Sequence, residues 1–123
     1  MTRVPYAARG DLTQVRRYQL TPARRRLLDL LDQVWFGRLE DLMVRGGEPA
    51  FDRPPRAVAT VKIVGKVDPR PSRVPTPDDP VSEERLALFA HLDRLGDGLV
   101  RRLEVGHANP LFIEIATDPA PAA

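Results

Sequence analysis

Shifted by 61 positions, this chain aligns with itself. Residues 24–52 match residues 85–113 without a gap, with nine identities in 29 positions. Arg24 meets Arg85, Leu31 meets Leu92, Asp32 meets Asp93, Gly37 meets Gly98, Leu42 meets Leu103, Pro49 meets Pro110 and Phe51 meets Phe112. The shared positions mark helix faces, a glycine stop, strand interiors and a turn, and not hydrophobicity alone.

The local signals inside each copy agree. Thr21-Pro22 is a helix start, because the hydroxyl can accept from a backbone N–H of the first turn and proline has no N–H to leave unsatisfied there. Leu27, Leu28, Leu31, Val34 and Trp35 then recur at helical spacing. Gly37 reads as the helix stop, in a left-handed conformation. Residues 38–44 alternate, but leave the inward side open, since Leu39 and Met43 fall on one face and Leu42 and Val44 on the other. Arg45-Gly46-Gly47-Glu48 is turn chemistry, and Pro49-Ala50-Phe51 a short return strand. The β-branched run at 57–64 predicts a further strand.

In the second copy, Ser82 caps a helix whose first turn carries Glu83 and Glu84. Its buried face is read as Leu86, Phe89, Ala90 and Leu92, widened by Leu88 and Leu95. Gly96-Asp97-Gly98 ends it, and residues 99–105, the turn 106–110 and residues 111–115 form a second hairpin.

The expected fold is therefore α+β: two similar helix–β-hairpin (αββ) units packed into one small domain. Neither unit can bury both its helix face and its sheet face alone, so the halves share a core, either as one mixed surface or around a pseudo-twofold axis. The expected organisation is a basic arm at 1–20, the first unit with its additional strand at 21–65, a connector at 66–81, the second unit at 82–115 and a flexible tail at 116–123. The connector contains Pro69, Pro71, Pro75, Pro77 and Pro80 and no apolar periodicity.

With 123 residues and no cysteine, the chain must rest on packing and backbone pairing, without disulfides, a thiol nucleophile or thiolate metal sites. No apolar run approaches the roughly 20 residues that span a bilayer, so no membrane partner is expected and the chain reads as cytoplasmic. Net charge is +2 but uneven: residues 1–26 hold seven arginines against Asp11, and the remainder is acidic.

Chemistry-bearing motifs are sparse. His91 and His107 have no neighbours that make a metal or catalytic set. Glu40-Asp41, Asp78-Asp79 and Glu83-Glu84 are adjacent pairs, which do not define a hydrolytic separation. Neither a phosphate-binding glycine loop nor a serine elbow is present. No enzyme and no cofactor are expected. The reading is instead a non-enzymatic protein-binding or assembly domain, self-associating or taking a protein partner. It would bury a small apolar patch at Trp35 and Phe36, oriented by Arg16, Arg17, Arg24, Arg25, Arg26, Arg101 and Arg102. The alternative is a small nucleic-acid-binding regulator whose arm and Arg24–Arg26 contact phosphates. Arg101-Arg102 aligns with Glu40-Asp41, so equivalent strand positions carry opposite charge.

Overall fold

A computed structural model describes residues 14–65 and 73–117. Residues 1–13 of the arm, 66–72 of the connector and 118–123 of the tail lie outside the described residues. The elements are a 3₁₀ turn at Arg17–Gln19, α1 (Pro22–Val34), β1 (Gly37–Arg45), β2 (Glu48–Ala50), β3 (Arg56–Ala59), α2 (Glu83–Leu95), β4 (Gly98–Gly106) and β5 (Asn109–Ile115). The chain is an α+β domain of two helix–strand–strand units, α1-β1-β2-β3 and α2-β4-β5, that form one sheet.

Both helices start as their sequences dictate. The Thr21 side chain accepts from the Arg24 N–H and the Ser82 side chain from the Arg85 N–H. Both end alike, with the N–H of Trp35 donating to Leu31 and that of Gly96 to Leu92. The inward side of α2 centres on Leu88, Phe89 and Leu92, while Ala90 is exposed, because the stripe follows the i, i+4 pair 88/92.

The sheet is antiparallel, in the order β2-β1-β4-β5, with β3 also paired to β1. Since β4 and β3 both pair residues 37–40 of β1, β3 lies along the same outer edge as β2. This edge is interrupted by residues 51–55, where Pro54 and Pro55 lack the N–H a ladder needs. The strand expected over 57–64 is confined to its first half, and Val61, Ile63 and Val64 are exposed.

The ambiguity in β1 resolves through a break at its centre. Asp41 has φ 59 and falls outside the β1–β4 pairs, so Leu39, Leu42 and Val44 all reach the core. In β4, Val100, Leu103 and Val105 are buried at the same third, sixth and eighth positions. With Leu27, Leu28, Leu31, Leu88, Phe89 and Leu92 they form one continuous core. Burial of each such side chain stabilises the fold by about 1.5–3 kcal/mol.

The opposite sheet face carries charges in register. Arg38 lies across from Glu104, and Glu40 across from Arg102 and Arg56. Opposite charges in facing positions are favourable, which gives the charge reversal between the copies a structural use. The end of the expected connector meets the arm: Val81 donates to Val15, Arg17 to Asp79 and Tyr18 to Pro77, and Val81 is buried.

Candidate functional site

Each helix ends against the hairpin turn of the other unit, producing two corners. The Gly47 N–H donates to the Gly96 carbonyl at 2.8 Å, and the Ala108 N–H to the Trp35 carbonyl at 2.9 Å. These contacts are 61 positions apart at both ends.

The backbone is also alike at the two corners, but the side chains are not. Gly96, Gly46 and Gly47 adopt φ 69, 56 and 77, and their counterparts Trp35, His107 and Ala108 adopt 62, 51 and 63. Positive φ at both central turn residues is the geometry of a two-residue hairpin of the primed type, which favours glycine and asparagine. Trp35, at φ 62 and ψ −64, is the centre of a γ-turn closed by the Phe36 N–H on the Val34 carbonyl at 2.7 Å. That conformation is rare and strained for a residue with a side chain. The left-handed residue ending α1 is thus Trp35 and not Gly37. Gly37 begins β1 at φ 145, where a Cβ would collide with the Val58 carbonyl.

The side chains at this strained corner gather into an aromatic cluster. His107 lies with its ring centroid 5.4 Å from Trp35 and 4.6 Å from Phe36, both edge-on, and Trp35 and Phe36 are 6.5 Å apart. Trp35 and Phe36 are half-buried and His107 is exposed. The indole Nε1 is buried with no hydrogen-bond partner among the described residues. At the other corner, Asp97 in place of Phe36 accepts from the Gly46 N–H at 2.8 Å. One corner is closed by glycines and a carboxylate, the other by three rings.

Most of the arginines expected to contact a partner serve the fold. Arg17 is 7% exposed and bonds Asp29 at 2.6 Å and Asp32 at 3.0 Å. Arg24 meets Glu48 at 2.9 Å and Asp93 at 2.5 Å and lies over the Phe89 ring. Arg26 lies over Phe51, and Arg16 donates to the Asp78 carbonyl. Arg102 pairs with Glu104 and Glu114, Arg25 is half-buried in the first turns of α1, and Arg101 is exposed on β4. Arg16 and Arg17 precede and begin the 3₁₀ turn ahead of α1, and Arg101 and Arg102 lie on β4.

The sequence reading missed Arg85 and His107. Arg85 donates to the Ala108 carbonyl at 2.8 Å and to Asp32 at 2.6 Å. This mirrors Arg24, which donates to the Gly47 carbonyl and to Asp93. The signal was present: Arg and Asp stand eight residues apart on both helices, but only packing reveals that each arginine takes the other helix's aspartate. For His107 the sequence offers turn or surface chemistry first and ligand contact second; its alignment with Gly46 marks where a glycine is replaced.

Among the described residues there is no group of three potential metal ligands, and no helix long and apolar enough to cross a membrane. No protein-family model, no curated protein and no solved structure matches this chain.

Proposed function

We propose that this is a non-enzymatic protein-binding domain whose binding element is the Trp35–Phe36–His107 corner, built on two αββ units related by a pseudo-twofold axis between β1 and β4. The register supports the axis. Shifting each strand by 61 positions turns the pair Leu39↔Leu103 into Val100↔Leu42, and Gly37↔Val105 into Gly98↔Val44, and all four are paired. The crossed contacts of Arg24 and Arg85 obey the same exchange.

The observation that carries the binding reading is the difference between the corners. Three residues with side chains occupy left-handed backbone at one corner, where the equivalent corner uses three glycines. Strained conformations of this kind cost on the order of 1–3 kcal/mol each and are held where a site needs them. A half-buried tryptophan beside two further rings is the kind of anchor that dominates protein interfaces. The protein-partner reading also draws support from the arginines. Arg17, Arg24 and Arg102 are engaged by carboxylates and so offer a phosphate backbone little uncompensated charge.

The test transplants the glycine corner onto the aromatic one. The Trp35→Gly/Phe36→Asp/His107→Gly variant is compared with the wild type for urea stability and for a partner co-purifying from the source cells. The expected result is a variant at least as stable as the wild type that has lost the partner. A loss of about 3–5 kcal/mol, the cost of removing a core tryptophan, would mean that the corner is packing and not a site. Binding of DNA or RNA at low ionic strength, abolished by Arg25→Ala/Arg26→Ala and not by the corner variant, would instead favour the nucleic-acid alternative.

A further inference from the structure

A second surface, distant in sequence from Trp35 and Phe36, lies between α2 and the edge strand β5. Among the described residues β5 pairs only with β4, so its outer edge offers backbone groups to a further strand, except at Pro110, which has no N–H. Leu111 and Phe112 on it are 63% and 56% exposed. With Ala87 and Leu88 of α2 they line a groove of about 430 Å³, which Glu84 and His91 flank. The opposite edge of the sheet is broken between β2 and β3 and carries Pro54 and Pro55 beside that break, which suits it poorly to pairing.

The charge arrangement selects the occupant. Glu84, Ala87, Leu88 and His91 follow the i, i+3, i+4, i+7 spacing of one helix stripe, with a carboxylate at one end, an imidazole at the other and apolar side chains between. Residues 84 and 91 are equidistant from the midpoint between Ala87 and Leu88. Turned end for end about that midpoint, the stripe places Glu84 opposite His91 twice. A twofold contact between identical chains requires a patch that is complementary to itself when reversed. Alanine at the centre lets two helices approach closely.

We propose that this groove is a self-association surface occupied by a second copy of the chain, with β5 antiparallel to β5 of the partner subunit and each Glu84 facing His91 of the partner subunit. Leu111 and Phe112 are buried near the axis, and the two sheets become one. This surface does not depend on the aromatic corner.

Sedimentation equilibrium of the full chain tests it. The wild type is expected to be a dimer, and a monomer at 100 µM, on the order of the weakest specific associations, would overturn the proposal. Glu84→Lys and His91→Glu, each alone, are expected to raise the dimer dissociation constant at least tenfold, because neither reversed stripe is then complementary to itself. An equimolar mixture of the two variants places the lysine of Glu84→Lys opposite the glutamate of His91→Glu at one end and restores the wild-type Glu84–His91 contact at the other, and is expected to form the heterodimer. Far-UV circular dichroism confirms that each variant is folded. Dimers unaffected by either substitution, or a mixture no tighter than its components, would overturn the proposal. Dissociation by the corner variant, with the groove variants still dimeric, would also overturn it while leaving the corner reading intact.

Discussion

At the scale of single residues, cost and use separate most clearly at the second hairpin turn. His107 and Ala108 hold φ 51 and 63, which glycine or asparagine would adopt with far less strain. The His107→Asn/Ala108→Gly variant is expected to be more stable by about 1 kcal/mol in urea unfolding, since it fits the primed turn. A loss of stability would mean that the ring contacts of His107 outweigh the strain it bears. Gly37 illustrates the opposite constraint. Gly37→Ala drives a methyl into the Val58 carbonyl on the neighbouring β3, and a loss of about 3 kcal/mol or more is expected from the same measurement. Gly96→Ala meets nothing within contact distance and bears only the strain of φ 69 and ψ −88, the γ-turn geometry of Trp35, about 1–3 kcal/mol.

At the scale of elements, the helices are tied to each other's units through two arginines. Arg85 is the more deeply placed. Its guanidinium joins the Ala108 carbonyl to Asp32, which Arg17 also contacts, so Arg85→Ala leaves a carbonyl and a carboxylate short of a donor. A loss of about 2–3 kcal/mol is expected. Arg24→Ala is expected to cost less, because its partner Asp93 is largely exposed and can turn to water. Equal losses in thermal or urea unfolding would show that exposure does not set the difference. The helices themselves were legible because Thr21 and Ser82 cap them and leucines recur at helical spacing. β3 was legible only in part. The residues after Ala59 are as strand-prone as those before it, but β1 begins at Gly37, and after Thr60, whose N–H donates to the Phe36 carbonyl, they have no ladder to join.

At the scale of the whole molecule, acid should loosen this fold through several carboxylates at once. Hydrogen bonds from the Thr76 backbone and the Arg73 guanidinium hold the Asp79 carboxyl down to about 2. Glu40 and Asp52 also lie below their ordinary values, through the Arg38 and Arg45 guanidiniums respectively. A carboxylate whose folded value is depressed stabilises the fold above its unfolded value, and that contribution disappears as pH falls toward the folded value. Stability followed by circular dichroism is therefore expected to be level from neutral pH to about 4 and to fall between about 4 and 2. Asp79→Asn is expected to flatten the lower part of that fall. An unchanged acid profile in this variant would remove Asp79 from the explanation.

The sequence by itself determined the two helices, both hairpin turns, the 61-residue repetition and the need for a shared core. The helices and turns follow from spacing, capping groups and turn residues within about twenty positions, and the repetition from matching positions 61 apart. Tertiary structure alone decided which residues of β1 face inward, because Asp41, at φ 59 and outside the β1–β4 pairs, breaks the two-residue alternation. It also decided that Arg24 and Arg85 exchange aspartates, and that Trp35 and Phe36 are completed by a histidine 71 or more residues away. Those contacts join parts of the chain that only packing brings together, and local propensity contains no term for them.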